Sequence, residues 1–217
     1  HEPEPALGGE LAVTVGSLER RDTRATLNVP IDDTLALRVS ASHVHRDGYA
    51  HRLSDGEQLG DKNSTIGRAQ LAWRPSEELT AKLTLDSTRI RQGSAPLTLV
   101  DVAEEGASLL NLYNSLVAPG TGVTAPGGSS AIDAAWLTGD IDTTYASGRS
   151  VNDLDSNGAA LTLDTRVGET ELRSITAWRK LTAKFARDGD NTPFSFRETY
   201  NDDRQKQFSQ ELQGSGA

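Results

Sequence analysis

The chain has 217 residues, of which 35% are hydrophobic and 24% are charged, and its formal net charge is −9. It has no cysteine, which excludes disulfides, thiolate metal sites and cysteine nucleophiles. Nowhere does the sequence approach the ~18–20 consecutive apolar residues of a membrane-spanning helix, and its lysines and arginines form no basic stripe of the kind that binds nucleic acid.

Alternation of apolar and polar residues dominates the N-terminal part of the chain. This pattern indicates β-strands with one apolar and one polar face. In the clearest case, Leu35, Leu37 and Val39 share one face while Arg38 and Ser40 share the other. We predict strands here at residues 10–20, 22–30, 34–44, 67–74 and 79–86, the first two on weaker alternation.

A long central region separates these strands from the C-terminal ones. In it, Leu109, Leu112, Tyr113 and Leu116 recur at roughly helical spacing, so we predict a helix within residues 103–116. A stretch rich in Gly, Pro and Ser follows. The pattern leaves open whether this region folds over a binding cavity.

Three further strands are predicted after the central region. Residues 159–167 alternate clearly, whereas 170–185 and 207–213 do so more weakly. Because Leu172 and Ile175 break strict alternation, we expect either a β-bulge in that strand or apolar residues buried on both of its faces.

Short and long connections alternate along the chain. Tight turns are predicted at residues 31–33, 75–78 and 168–169, and longer loops at 47–63, 94–156 and 188–204. An antiparallel meander places all its short turns at one edge and all its long loops at the other. Transmembrane β-barrels have this asymmetry.

The composition of the two faces bears on whether this meander lies in a membrane. The apolar faces are mostly Leu, Ala and Val, and aromatic residues make up only 5% of the chain, whereas a sandwich core usually recruits larger side chains. Trp73 lies beside the turn at Pro75, as expected of an interfacial aromatic residue. The pattern alone still leaves a soluble carbohydrate-binding or adhesive β-sandwich open.

Several stretches resemble, in the same order, the barrel of TonB-dependent outer-membrane receptors. They are residues 27–40, 46–49, 68–75, 174–179 and 207–212. The resemblance implies an all-β fold: an antiparallel meander forming an incomplete transmembrane β-barrel, with about eight strands of a roughly 22-stranded barrel and long extracellular loops. An independent eight-stranded barrel is the alternative of matching strand number.

The same resemblance implies a function. Residues 1–217 would be a partial receptor barrel in the outer membrane of a Gram-negative bacterium, and no part of the sequence resembles the plug domain or the C-terminal strands of the family. The expected role is uptake of a scarce solute such as an iron-siderophore, with no enzymatic activity and no cofactor. The expected partners are outer-membrane lipid, a small molecule such as a ferric siderophore and, through the plug region, the TonB energy-transducing complex, but not nucleic acid.

Charged residues on the polar faces are the candidates for a substrate path. If the apolar faces touch lipid, the opposite faces line an enclosed aqueous space, which tolerates both signs of charge. The predicted lumen-facing residues are Arg38, Arg68, Lys82, Asp86, Asp164 and Arg166.

Two groups of residues are weaker candidates for metal binding. Asp153, Asp155 and Asn157 have the spacing of the first half of a calcium loop, with Asp164 at its twelfth position, although the residues that follow alternate as a strand. His43 and His45 lie on one strand face and could bind a metal or an iron chelate, but such residues are more often polar groups near a membrane interface.

Overall fold

The computed structural model describes residues 2–102 and 108–216. Its single α-helix in these ranges is α1 (Ser108–Leu116), and two short 3-10 turns follow at Ala118–Thr121 and Ala134–Trp136. The strands in chain order are β1 (Gly8–Gly16), β2 (Arg20–Pro30), β3 (Leu35–Arg46), β4 (Ala50–Arg52), β5 (Gln58–Leu59), β6 (Lys62–Ser76), β7 (Leu79–Gln92), β8 (Thr143–Thr144), β9 (Val151–Val167), β10 (Thr170–Asp188) and β11 (Glu198–Ser215).

Eight strands form one antiparallel sheet in the order β1-β2-β3-β6-β7-β9-β10-β11. Each strand pairs with the one before it and the one after it in this order, which confirms the predicted meander of about eight strands. Strands β1 and β11 lie at opposite edges, so the described residues do not close an eight-stranded barrel, and that alternative is wrong. A small second sheet has the order β5-β4-β8, with β4 and β8 parallel.

Several strands extend well beyond the predicted segments. Strand β9 begins at Val151 and β10 continues to Asp188, so residues 151–156, predicted as the end of a loop, belong to the sheet. Both faces are polar there, and alternation therefore gives no signal, while the pairing with β7 and β10 continues. With 17 to 19 residues, β9 and β10 exceed the ~9–11 residues that cross a bilayer.

The predicted asymmetry of the connections is confirmed, with one exception. The short turns at 31–34, 77–78 and 168–169 lie at one edge of the sheet, and the loops 47–61, 93–150 and 189–197 lie at the other. The first predicted strand stops at Gly16, however, and residues 17–19 form a tight turn at the loop edge. Leu18 and Glu19 adopt positive φ angles of 58° and 53° in this turn.

Of the two alternatives expected for β10, the β-bulge is absent, since β10 keeps a continuous register with both neighbours. Ile175 and Ala177 instead occupy the polar face. The register shift of this sheet lies between β6 and β7, at Trp73 to Ser76. Pro75 falls within it and has no N–H to donate to a ladder, which accounts for the irregularity there.

One face of the large sheet is apolar and uncovered. Leu37, Leu71, Leu83 and Leu161 are side by side in consecutive pairs of β3, β6, β7 and β9. Within the described ranges no helix or second sheet packs on this face, and Leu83 is 38% exposed. The packed second layer that a soluble sandwich requires is therefore missing. No helix of the described part is long and apolar enough to cross a bilayer.

Candidate functional site

The six predicted lumen-facing residues lie on one face of the sheet, which we call the polar face. Side chains alternate between faces along a strand. The registers place all six residues on the face of the sheet that does not carry the leucines. They do not form one cluster: Arg68 and Asp86 face each other across β6 and β7, Arg166 lies near the short-turn edge, and Arg38 is opposite Gln70.

An ion pair on the polar face spans two strand spacings. Arg179 on β10 donates from Nη2 to Asp86 Oδ1 on β7 at 2.9 Å, and from Nη1 to Ser156 Oγ at 2.9 Å. Gly158 lies between them on β9. A Cβ at Gly158 would lie 2.7 Å from both Arg179 Nη2 and Asp86 Oδ1, so the glycine leaves the space that the pair occupies.

Arg179 was not predicted from the sequence because the alternation in 170–185 is broken. A glycine within a strand often marks a close approach, and Gly158 was the available signal.

Further ion pairs line the polar face toward the short-turn edge. Arg173 pairs with Asp164, and Arg166 donates to Glu171 Oε1 at 2.6 Å. Glu2 pairs with Lys82. The hydrogen bond and the positive charge of Lys82 hold the pKa of Glu2 below its usual value.

The N-terminal segment also lies on the polar face. The amide of buried Asn28 donates to the carbonyls of Glu4 at 2.7 Å and Ala6 at 2.6 Å, and Asn28 Oδ1 accepts from the Glu4 N–H at 2.9 Å. Three hydrogen bonds therefore hold this segment against β2.

The long central loop is folded around its own apolar core, which we call the loop core. Its buried residues are Ala118, Ala125, Ile132 and Trp136 from loop 93–150 and Phe194 from loop 189–197. The Phe194 ring meets those of Tyr113 and Trp136 edge to face, at centroid distances of 6.2 and 5.6 Å. The predicted helix is present as α1, and residues 103–107 lie outside the described ranges.

Polar contacts fasten this loop to its neighbours. Buried Arg52, on β4, donates to the Gly148 carbonyl at 2.9 Å and pairs with Asp55. The hydrogen bond from Arg52 lowers the pKa of Asp55 to about 2. Asp188 Oδ2 accepts from the N–H groups of Ser147 at 2.9 Å and Gly148 at 3.0 Å. Three loops are thus joined at the loop edge of the sheet.

Asp190 organises the loop between β10 and β11. Its Oδ2 accepts from the N–H groups of Phe196 at 3.2 Å and Arg197 at 2.8 Å, and its Oδ1 accepts from the Thr192 N–H at 3.0 Å. Burial raises the pKa of this carboxyl above its usual value, despite the hydrogen bonds that oppose the shift.

The calcium-loop interpretation is wrong, because Asp153, Asp155 and Asn157 lie within strand β9. They share the face that carries the leucines, whereas Asp164, the supposed twelfth ligand, points to the polar face. Asp155 is paired with Arg91. A regular strand cannot wrap these oxygens around one cation.

His43 and His45 lie on β3, on the same face as the leucines but nearer the loops. His43 Nδ1 is 2.9 Å from Thr65 Oγ1, and His45 Nε2 is 3.5 Å from Asp47 Oδ1. The described residues contain no group of three His, Cys, Asp or Glu side chains that could hold a metal.

Comparison with known proteins gives no matching family model and no matching curated protein. Two solved structures are similar. The ferric yersiniabactin uptake receptor FyuA from Yersinia pestis has a TM-score of 0.70 at 14% identity, covering 100% of this chain and 29% of that receptor. The ferric-catecholate import receptor Fiu from K12 E. coli has a TM-score of 0.58 at 14% identity, covering 96% of this chain and 28% of that receptor.

The chain therefore has the fold of a segment of a TonB-dependent receptor barrel. Its open eight-stranded sheet corresponds to part of such a barrel and spans less than a third of the length of either receptor.

Proposed function

We propose that this chain is a barrel segment of a receptor that takes up a scarce solute through the outer membrane of a Gram-negative bacterium. The observation that carries the proposal is the pairing of two unlike faces. Leucines lie open on one face, on which none of the described elements packs, and ion-paired charged residues lie on the other. A bilayer outside and water inside would satisfy both faces.

The parts of the structure suggest a division of roles. The joined loops would capture the solute, and the polar face would line its path, with Arg38, Arg68, Lys82, Asp86, Asp164 and Arg166 contributing charge. The energy would come from the TonB complex, acting through a plug domain. The segment would bind and guide its solute without chemical change, as a transporter and not an enzyme.

A ferric siderophore is the proposed substrate class. The two similar structures are receptors for ferric yersiniabactin and ferric catecholates. Of the six path residues four are basic and two are acidic, and an excess of basic side chains suits anionic iron chelates.

An uptake assay tests this proposal. The full-length protein that carries this segment would be expressed in a host lacking its own siderophore receptors, and radiolabelled iron would be supplied on a panel of catecholate and phenolate chelators. We expect accumulation of iron from at least one chelate, and only when TonB is functional. Surface-exposed, folded protein that supports no TonB-dependent uptake of any chelate would overturn the proposal.

A matched pair of glycine variants tests the polar face. Gly158→Ala would displace the Arg179–Asp86 pair, whereas Gly67→Ala, on the apolar face, meets no atom within 4 Å. An exposed ion pair contributes at most about 1 kcal/mol, so both variants should assemble normally. We expect Gly158→Ala alone to change the rate of uptake, and equal rates would remove the pair from the substrate path.

A further inference from the structure

The apolar face ends abruptly along β10 and β11. Trp178 and Phe208 are paired across these strands, and the next pair toward the loops on the same face is Lys180 with Lys206. One step of two residues, about 7 Å, therefore leads from an aromatic pair to a pair of lysines. Thr182 with Arg204, and then Lys184 with Asp202, continue the series.

These side chains border a shallow groove of about 860 Å³ on the outside of the sheet, whose floor extends over Asp153 and Asp155 of β9 to Arg91 of β7. We call Lys180, Lys184, Arg204 and Lys206 the basic patch. All four are exposed. The patch carries four basic side chains in a chain whose net charge is −9.

The acids near the patch neutralise only part of its charge, although Asp153 lies opposite Lys184 across β9 and β10. Asp155 pairs with Arg91, and Asp202 lies 3.6 Å from Arg204. In the part of the chain that the structure describes, Lys180, Lys184 and Lys206 form no ion pair. Like charges directly opposite each other destabilise a pair of strands, so the Lys180–Lys206 pair is unfavourable unless an anion lies between the two ammonium groups.

The position of the patch identifies the anion. We propose that the basic patch binds the phosphate groups of a glycolipid in the outer leaflet, with the acyl chains of that lipid against Trp178 and Phe208. This rests on the proposed function, because it requires the apolar face to touch lipid. Lysines one step beyond an aromatic pair lie at headgroup depth, where the phosphates of such a lipid are found.

A free phosphate ion would use the same charges but not the aromatic pair. Phe208 is 68% exposed and Trp178 lies beside it, so acyl chains have apolar surface to cover next to the cations. The site therefore suits a phosphorylated amphiphile better than an ion from solution.

Binding to purified full-length receptor in neutral detergent tests the proposal. The probes are a bisphosphorylated lipid A, the same lipid without phosphates, and inorganic phosphate. The variant Lys180→Gln/Lys206→Gln removes two charges from the patch, and Arg24→Gln/Lys62→Gln removes two exposed charges from the polar face as a matched control. Each lysine near an anionic headgroup contributes about fivefold to the affinity. We therefore expect the patch variant, which lacks two of them, to bind bisphosphorylated lipid A about thirty-fold more weakly.

The control variant should bind as the unmodified receptor does, and added salt should weaken binding because it screens the charges. Equal binding by the patch variant, or equal binding of the lipid without phosphates, would overturn the proposal. Inorganic phosphate that binds as tightly as the phosphorylated lipid would also overturn it, since acyl chains would then contribute nothing.

Iron uptake separates this proposal from the function on which it depends. A patch variant that loses lipid binding but still takes up the ferric chelate supports both. If the unmodified receptor takes up no ferric chelate, the proposed function is overturned, and lipid binding can still be measured. A full-length protein that partitions into water would overturn the two together.

Discussion

Replacing Phe194 with alanine should release the loop core while leaving the large sheet intact. Phe194 is 1% exposed and is the one fully buried residue that loop 189–197 contributes to this core. Its ring holds Tyr113 and Trp136 in edge-to-face contacts. No residue of the large sheet belongs to the core, so the damage should remain at the loop edge.

The expected loss follows from the burial of the ring. Truncating a buried phenylalanine costs about 3–5 kcal/mol, and the core can collapse only partly into the space. Since each 1.4 kcal/mol changes an equilibrium about tenfold, local opening of the loops should become about a hundred to a few thousand times more frequent.

Hydrogen exchange followed by mass spectrometry, on the full-length protein in detergent, measures this opening directly. Amides in α1 and residues 132–136 should exchange faster in the Phe194→Ala variant, and those of β9 and β10 should not. Leu109→Ala is the matched control, because Leu109 is 77% exposed on the same helix that carries Tyr113. Unchanged loop exchange, or a uniform increase that includes the strands, would refute this account of the loop core.

Three further outcomes follow from the apolar face and the loop carboxylates. Leu83→Lys should cost about 2–4 kcal/mol if the residue lies at mid-bilayer, and should reduce the heat-modifiable folded band on gels, whereas Thr84→Lys on the polar face should not. Asp190→Asn places an amide against two backbone N–H donors and should weaken local protection by about 1–3 kcal/mol. The stability of the joined loops should also depend on pH, and Asp190 and Asp55 should act on it in opposite senses. Because the pKa of Asp190 is raised in the folded loop, lowering the pH toward the ordinary pKa of an aspartate stabilises the loop. Because the pKa of Asp55 is lowered to about 2, its pairing with Arg52 is retained above its ordinary pKa and lost as the pH falls toward 2. Proteolysis of the loops compared at each pH with Asp190→Asn and Asp55→Asn would show both effects, and identical profiles would contradict them.

The sequence predicted the sheet wherever one face was apolar and the other polar. Each predicted segment corresponds to a strand, except that the first one includes the turn at residues 17–19. Apart from that turn, the alternation of short turns and long loops placed the two edges correctly. The pattern failed where both faces are polar, as in residues 151–158, because burial no longer distinguishes the faces. There the ladder bonds to two neighbouring strands determine the structure, and these are not visible in one segment alone.

The candidate site divides in the same way. The sequence placed six charged residues on one face because parity alone determines the face of a strand. The sequence could not predict which charges pair, since Arg179 on β10 reaches Asp86 on β7 across the intervening strand β9. The loop core brings Phe194 to residues of the central loop, and Arg52 contacts Gly148, 96 residues further along the chain. No local pattern encodes such contacts.

The apolar residues on the face that carries the leucines form a belt across the sheet. The course of this belt shows how the strands are inclined to it. Following the strand pairs from Phe208 across the sheet leads, row by row, to Gly9 on β1. On β11 the belt ends at Phe208, but on β1 it continues to Val15, six residues nearer the loops. Six residues correspond to about 20 Å along a strand, and seven strand spacings correspond to about 34 Å across the sheet. The belt is therefore inclined to the rows by about 30°.

That inclination is close to the strand tilt of ~35–45° in transmembrane barrels, although no barrel is closed in these residues. The tilt also explains the basic patch. The row that holds Lys180 and Lys206 passes through Leu11 on β1, so the same row lies within the apolar layer at one side of the sheet and rises out of it at the other.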